Sequence, residues 1–374
     1  MATVRKRTRN GKVTYQVRYY TPAGEPKGET FARKVDADRR RTEIEHSKLN
    51  RSYINPTLGK TKLAELAERW WGTTANMRPT TRDNYRRRLD AYVLPVFGAM
   101  PLNAIDKLAV KEWLASMPPP TAAAAHNVLK LVLDAAVDAG LLAANPAARM
   151  RRPKIVARDK RYLTAAEVER LAQAIDLRYT TLVRFAAYSG LRFGELSGLK
   201  VGRLDLLAGR VQVVEAIATI SGKRHTGPTK TGESRTVAIP RWLCEEVGAY
   251  LADRPHAPGD YVFTAPRGGP LAPDWFRTAY FQPAVRAAGL EPFRIHDLRH
   301  TAISLWIAQG TNVRVVQKQA GHKNASMTLD TYGGLYPDDV DELMERLDRA
   351  HAAAADAMWS QSGPSVVRLP GTGG

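Results

Sequence analysis

Phe293 to Tyr332 reads FRIHDLRHTAISLWIAQGTNVRVVQKQAGHKNASMTLDTY, and in it His296, Arg299, His322 and Tyr332 are spaced by apolar, helix-forming runs. The pattern predicts a helix from His296 to Gln309, closed by Gly310 in the left-handed conformation. On that helix His296, Arg299 and His300 fall at i, i+3 and i+4 and share one face, while Ala302, Ile303, Leu305, Trp306 and Ile307 give it an apolar side to bury. A guanidinium fixed this way grips a phosphate through two parallel hydrogen bonds, and an imidazole adds a third. Tyr332 follows in TLDTYGG, where two glycines make the chain turn. A phenol with a pKa of about 10 serves as a nucleophile only where cationic donors stabilise the phenolate and the phosphorane-like transition state. Taken alone, Tyr332 reads as an amphipathic residue at a helix end; beside the clamp it reads as a group that attacks a phosphodiester.

Working outward, the composition agrees with a polyanionic partner. Across 374 residues, 56 Lys and Arg stand against 37 Asp and Glu, a net charge of +19. That excess points to nucleic acid. The length suggests two or three domains, and 44% hydrophobic residues are enough to build their cores. Cys244 is the single cysteine, so no internal disulfide is possible, and its place in PRWLCEEVGAYL marks it as a small core residue. With neither a signal peptide nor an apolar run of about 18 residues, the expected location is the cytoplasm, on DNA and away from membranes.

The N-terminal stretch carries about half of the excess charge, with 15 Lys or Arg and 6 Asp or Glu from Met1 to Lys60. Arg5, Lys6, Arg7 and Arg9 form a basic tail. VTYQVRYY and KGETFARK read as two strands around a PAGEP turn, followed by a charged helix from Asp36 to Leu49. Such a sheet, with Tyr15, Arg18 and Tyr20, suits a DNA groove. After RSYINPTLGK comes a helical module. In TRDNYRRRLDAYVLPVFG the helix begins at Thr80, Thr81 and Asp83, turns Tyr85, Leu89 and Tyr92 inward and Arg82, Arg86, Arg87 and Arg88 outward, and is stopped by Pro95 and Gly98. DKLAVKEWLASM and TAAAAHNVLKLVLDAAVDAG give two more helices. The cationic RRPKIVARDKR, with Lys154, reads as a linker able to lie along a phosphate backbone.

The C-terminal half opens at LTAAEVERLAQAI with a capping box, Thr164 and Glu167. TTLVRFAAYSG ends at Gly190 and delivers Arg192 from a tight turn; Glu195, at the start of the next helix, reads as a brace beside that arginine. RVQVVEAIAT, a polar hairpin SGKRHTGPTKTGES and RTVAIP suggest a short antiparallel sheet. Lys230 lies in the hairpin, where its reach lets it bring a proton to a leaving oxygen. WLCEEVGAYLADR and DWFRTAYFQPAVRAAG are further helices, with YVFTAPRGG between them as strand and turn.

GLRFGEL around Arg192, TKTGESRTV around Lys230, HDLRH from His296 to His300, Gly321-His322 and TLDTY ending at Tyr332 resemble, in order and spacing, the tyrosine recombinase family, and within it phage or mobile-element integrases of actinobacterial type. The resemblance spans residues 10 to 345. It implies a fold that is mainly α with small antiparallel β-sheets, divided into an arm-type DNA-binding domain (1–58), a helical core-binding domain (59–150), a basic linker (151–162), a mixed α/β catalytic domain (163–350) and a partly disordered tail (351–374). It implies catalytic roles for six residues: Arg192 and Arg299 clamp the scissile phosphate, His296 and His322 bond its oxygens, Lys230 protonates the 5′ leaving oxygen, and Tyr332 forms a 3′-phosphotyrosyl link. Glu195 and His300 support them. Arg5, Lys6, Arg7, Arg9, Arg18, Arg82, Arg86, Arg87 and Lys154 are the expected DNA contacts. The implied activity is site-specific integration, and excision, of a mobile element by a homotetramer acting on duplex core and arm sites, grasped between the second and third modules. No cofactor and no metal are expected. A host DNA-bending protein and an excision factor are compatible further partners.

Many relatives carry a histidine two residues after the tyrosine, where this chain has Gly334, and Tyr336 is a second tyrosine close by. The spacing from His322 selects Tyr332. Three other readings bear on the same residues. His296 and His300 at i, i+4 fit a zinc hydrolase, but Asp297 stands where that pattern needs glutamate and no further ligands accompany them. A topoisomerase would share the chemistry without the arm-like module. A DNA-binding regulator would not need the tyrosine.

Overall fold

The computed structural model describes residues 2–9, 12–20, 26–49, 58–150, 160–229, 232–336 and 340–361. Lys154 and most of the expected linker, Lys230, and the stretch from Ser362 onward lie outside them. The chain divides into two units, residues 1–159 with 219–223, and residues 160–218 with 224–374. Among the described residues no helix is long and apolar enough to cross a membrane.

The first unit opens with a three-stranded antiparallel sheet, β1 (Thr3–Arg9), β2 (Lys12–Tyr20) and β3 (Pro26–Phe31), in that spatial order. The basic tail is therefore a strand. Its period-two alternation is masked by charge, yet Val4 pairs Val17 and Lys6 pairs Tyr15, so β1 completes the sheet that β2 and β3 begin. Helix α1 (Lys34–Leu49) covers one face, burying Ala37 and Ile44 against Val17 and Tyr19. Tyr15 packs at that cluster and not on the opposite face with Arg18 and Tyr20, which corrects the grouping read from the sequence.

The rest of the unit is helical: α2 (Leu63–Thr73), α3 (Pro79–Arg88), α4 (Leu94–Phe97), α5 (Lys107–Ala115) and α6 (Pro119–Asp138). Leu66, Trp70, Leu89, Phe97, Trp113, Leu129 and Leu133 meet in one core. Pro95 does not stop the third helix. A π-turn at Leu89–Val93, in which the Leu94 N–H reaches the Leu89 carbonyl, carries the helix past the proline to Phe97. The extra residue in that turn rotates the pattern, so Val93 is buried and Tyr92 is 39% exposed, contrary to the straight-helix expectation. The helix starts at Pro79, with proline in the first turn.

The second unit begins with α7 (Ala165–Ala174), whose capping box pairs Thr164 with Glu167. Helices α8 (Thr180–Ser189) and α9 (Phe193–Gly198) follow. Strands β4 (Leu204–Asp205), β5 (Arg210–Val213) and β8 (Arg235–Ala238) form one antiparallel sheet, and β6 (Glu215–Ile220) with β7 (Lys223–Pro228) forms another. The expected strand RVQVVEAIAT is thus broken at Val214 between two sheets. The polar loop after it shrinks to a turn at Ser221-Gly222, both at positive φ, with β7 recovered from what read as loop. YVFTAPRGG contributes only isolated bridges at Tyr261 and Thr264 in place of a strand.

Helices α10 (Arg241–Ala252), α11 (Pro273–Phe276) and α12 (Gln282–Ala287) complete the large core with Phe185, Phe263, Phe276, Phe281 and Phe293. Cys244 is buried within it, and burial pushes its thiol pKa up. Between α11 and α12 the π-turn device recurs: Gln282 N–H bonds the Arg277 carbonyl just before Pro283. Then come α13 (Ile295–Ala308), α14 (Val313–Ala320), α15 (Ala325–Tyr332) and α16 (Val340–Gln361). The last helix runs through the expected boundary at residue 350, so the first part of the tail is helical.

Candidate active site

Helix α13 is fixed at both ends and along one side. Asp297 accepts from the Arg294 N–H at 2.8 Å, tying the N-cap backbone to the first turn, and Gly310 at positive φ follows the last turn. Leu298 and Ala302 are buried on one side, and Ile303 and Ile307 are buried on the same face as His296, Arg299 and His300, within two turns of them. Asp297, the group a zinc hydrolase would need as glutamate, is engaged with Arg294.

Arg299 is 4% exposed. Its two terminal nitrogens donate, each at 2.6 Å, to the carbonyls of Gly190 and Ala320. The first belongs to the residue that caps α8 and the second to the last residue of α14, so one guanidinium bridges two helix C-termini, where a cation is favoured by the helix dipole. Gly190 has to be glycine here: φ is +65°, and a Cβ would lie 2.6 Å from the Trp306 ring. Burial, then the neighbouring Arg192, draw the Arg299 pKa down to about 9, which leaves it a cation at neutral pH.

Arg192 donates to Glu195 at 2.9 Å and to the Gly321 carbonyl at 3.1 Å. The carbonyls of Ala320 and Gly321 therefore hold the two arginines, and the next residue in the chain is His322. Glu195 sits beneath them, bonded by the Arg192 N–H at 2.9 Å and by both terminal nitrogens of Arg235 at 3.0 and 2.7 Å. Burial pushes this carboxyl's pKa up, but the bonds from Arg235 and Arg192 outweigh it and bring the pKa to about 2. Three guanidiniums surround a single carboxylate, so the site is two positive charges in excess and attracts an anion.

The imidazoles carry no charge at neutral pH. Burial, then Arg299, lower the pKa of His322 to about 4 and lower that of His296 as well; burial, then His296, lower His300 to about 4. His322 bonds Thr328 through Nδ1 at 2.8 Å. Tyr332 is 2% exposed, packed with Ile303, Ile307 and Val316, and its hydroxyl meets His300 Nδ1 at 2.5 Å. Burial raises the phenol pKa above its ordinary value, against the pull of Arg299. The His322 ring lies nearly parallel to that of Tyr332, with centroids 6.4 Å apart. Tyr336 packs at the edge of the same cluster.

The structure thus brings Arg192, Glu195, His296, Arg299, His300, His322 and Tyr332 into one neighbourhood. Arg235 is a member that the sequence reading missed, although it shares the inward face of β8 with buried Val237, and a charge at an inward strand position is a signal. Lys160 is another, donating to the Thr331 carbonyl at 3.1 Å with its nitrogen 5.9 Å from the Tyr332 ring centroid. The expected DNA contacts are distributed otherwise. Arg5, Arg7, Arg9 and Arg18 line the sheet face opposite α1; Lys6 lies on the register of Tyr15. Arg82 lies over Trp71 at 4.4 Å, Arg86 pairs Glu68 and Asp90 at 2.8 and 2.9 Å, and Arg87 pairs Asp83 at 3.1 Å.

The phage integrase family model matches residues 161–339, and the phage integrase central domain model matches residues 63–153. Tyrosine recombinase XerC of Xylella fastidiosa strain 9a5c is 31% identical over 223 residues, covering 58% of this chain and 70% of XerC. The integrase of Mycobacterium phage FRAT1 is 28% identical over 270 residues, covering 69% of this chain and 80% of its own. In fold, the Tn1549 transposon integrase, solved in complex with transposon right-end DNA, matches with a TM-score of 0.67 at 19% identity, over 77% of this chain and all of the solved one.

Proposed function

The chain belongs to the phage integrase family of tyrosine recombinases, and from that premise we propose how it carries out site-specific DNA recombination. Arg192 and Arg299 receive the scissile phosphate, and His296 and His322 donate to its oxygens. Tyr332 attacks phosphorus and leaves a 3′-phosphotyrosyl link. Lys230, outside the described residues, is the general acid for the 5′ oxygen. The observation that carries this reading is the convergence at one turn, where Ala320 and Gly321 hold the two guanidiniums through adjacent carbonyls and His322 comes next beside the Tyr332 ring.

Fixed cations do here what a mobile solvent shell would do in water. They stabilise charge on the equatorial oxygens as it develops, and their positions are set before substrate arrives. The covalent link stores the phosphodiester energy, so a 5′ hydroxyl from a second duplex reverses the step. Residues 1–58 act as an arm-binding domain, residues 59–150 grip the core site, and residues 163–350 perform the chemistry. Four copies assemble on two duplexes, with α16 contributing contacts between protomers, and the reaction integrates and excises a mobile element.

The test is covalent trapping. Purified protein is incubated in EDTA with duplexes from the flanks of the element that carries it, and adducts are resolved on denaturing gels. The wild type is expected to yield an adduct whose DNA reports the core site; Tyr332→Phe yields none while retaining DNA affinity. An adduct formed by Tyr332→Phe would overturn the mechanism.

A further inference from the structure

Among the described residues, the Tyr332 hydroxyl has a single hydrogen-bond partner, and it is neither of the histidines assigned to the phosphate. It is His300, one residue after the arginine of the clamp, at 2.5 Å through Nδ1. His322 is occupied otherwise, with Nδ1 bonded to Thr328 at 2.8 Å. His296 stands edge-on to the His300 ring, their centroids 4.9 Å apart. One turn of a packed helix therefore splits two tasks: His296 and Arg299 face the anion site, and His300 faces the phenol.

We propose that His300 is a further catalytic residue, the proton acceptor that takes the phenol hydrogen of Tyr332 during cleavage and returns it during religation. The inference rests on the reading of Tyr332 as nucleophile. As the phenol oxygen bonds to phosphorus, its proton passes to His300 Nδ1; the bond from phosphorus to the 5′ oxygen breaks, its electron pair stays on that oxygen, and the oxygen takes a proton from the general acid. In religation the 5′ hydroxyl attacks phosphorus and gives its proton back to the deprotonated general acid, the tyrosyl oxygen departs with its bonding pair, and imidazolium at His300 protonates it.

In the free protein the surroundings keep the proton on the phenol. The free protein pairs a neutral imidazole with a neutral phenol, both stripped of water by burial. The groups facing His300 are His296, Asp297 and Arg299 from its own helix, Lys160 ahead of α7, and His322 and Tyr332 beyond α14. Of these, His296, Lys160 and Arg299 oppose a positive charge on His300, and Asp297 favours one. A bound phosphodiester works against that bias by adding a negative charge at the clamp, and Lys160, 5.9 Å from the phenol ring centroid, stabilises the phenolate.

The experiment uses the strand that the trapped adduct identifies, in two forms. With the natural phosphodiester, His300→Ala is expected to slow single-turnover cleavage by roughly 100-fold or more, with the rate recovering as pH rises and hydroxide replaces the missing base. With a 3′-nitrophenyl phosphate, whose leaving group needs no proton, strand joining by Tyr332→Phe/His300→Ala is expected to match that by Tyr332→Phe. Wild-type cleavage by His300→Ala, with Tyr332→Phe inactive, would overturn the role of His300 and leave the nucleophile standing. Equal loss of nitrophenyl joining would also overturn it, because His300 would then be holding the clamp and not moving a proton. An adduct in Tyr332→Phe would instead overturn the reading beneath.

Discussion

The cations of this chain are held in two contrasting ways. At the site on α13, each described arginine is tied to protein: Arg299 to two helix ends, Arg192 to a carbonyl and Glu195, Arg235 to Glu195. On the N-terminal sheet, Arg5, Arg7, Arg9 and Arg18 stand exposed on the face away from α1. A tied guanidinium is positioned before substrate arrives and acts in a low-dielectric surrounding, so it serves a transition state. An exposed one keeps its rotamer freedom and its hydration, so it serves association, and salt screens it.

The contrast breaks most visibly at Arg299. Arg299→Ala removes a clamp donor and leaves two buried helix-end carbonyls without a partner. We expect a loss of cleavage of about 10²–10³-fold or more, and a stability loss of roughly 2–5 kcal/mol from the orphaned carbonyls. Single-turnover cleavage and denaturant melts measure the two effects. Arg299→Lys should not rescue either, because a point ammonium cannot span both carbonyls as a planar fork does. Full activity in the lysine variant would show that positioning matters less than charge.

The next effect is read through pH. Glu195 has a folded pKa of about 2 against an ordinary value of 4.5, so its ion pairs stabilise the fold above pH 4.5, and that stability is lost as pH falls toward 2. At about 1.4 kcal/mol per pKa unit the contribution is on the order of 3 kcal/mol. His300 and His322 act in the adjoining window. Their folded pKa values of about 4 lie below the ordinary 6.5, so the unfolded chain binds protons first and stability falls between pH 6.5 and 4. The melting temperature of the free protein should therefore decline from pH 7 to about 2, first through the histidines and then through Glu195. Glu195→Gln should remove the lower part of that decline and His322→Asn should flatten the upper part; unchanged profiles would mean these groups are solvated in the folded protein.

The same contrast explains how much could be read from sequence. His296, Arg299 and His300 could be placed on one face because a helix repeats at fixed spacing, and groups at i, i+3 and i+4 must share a face, whereas Arg192, His322 and Tyr332 lie on other elements and were singled out by the ordered motifs that resemble the family. Capping residues marked Thr164, Gly190 and Gly310 for the same local reason. Arg235 was hidden because its partner, Glu195, lies 40 residues away and strand β8 is only four residues long. Lys160 was hidden because its acceptor, the Thr331 carbonyl, is 171 residues distant. Tyr92 and Pro95 were misjudged because a π-turn inserts one residue and shifts the face, which a straight 3.6-residue period cannot anticipate. Strand β1 was misjudged because dense positive charge resembles a solvated tail, and only its pairing with β2 shows otherwise.

The smallest effect on chemistry belongs to the exposed set. Replacing Arg5, Arg7 and Arg9 together with alanine removes three cations from one face of an edge strand, and the pairing of Val4 with Val17 that holds β1 in register remains. Core-site cleavage should then be unchanged. Binding to duplex DNA should weaken, and the slope of log K against log salt should flatten by up to about 0.9 for each phosphate that is no longer neutralised, so by at most roughly three. Binding at several salt concentrations separates this from Arg299→Ala, which should alter the rate of chemistry and scarcely alter the slope. An unchanged slope in the triple variant would mean that this face does not meet the phosphate backbone and that the exposed arginines serve another purpose. A slope change accompanied by abolished cleavage would mean that the division between positioned and exposed cations does not hold, because charge on the sheet would then be felt at Tyr332.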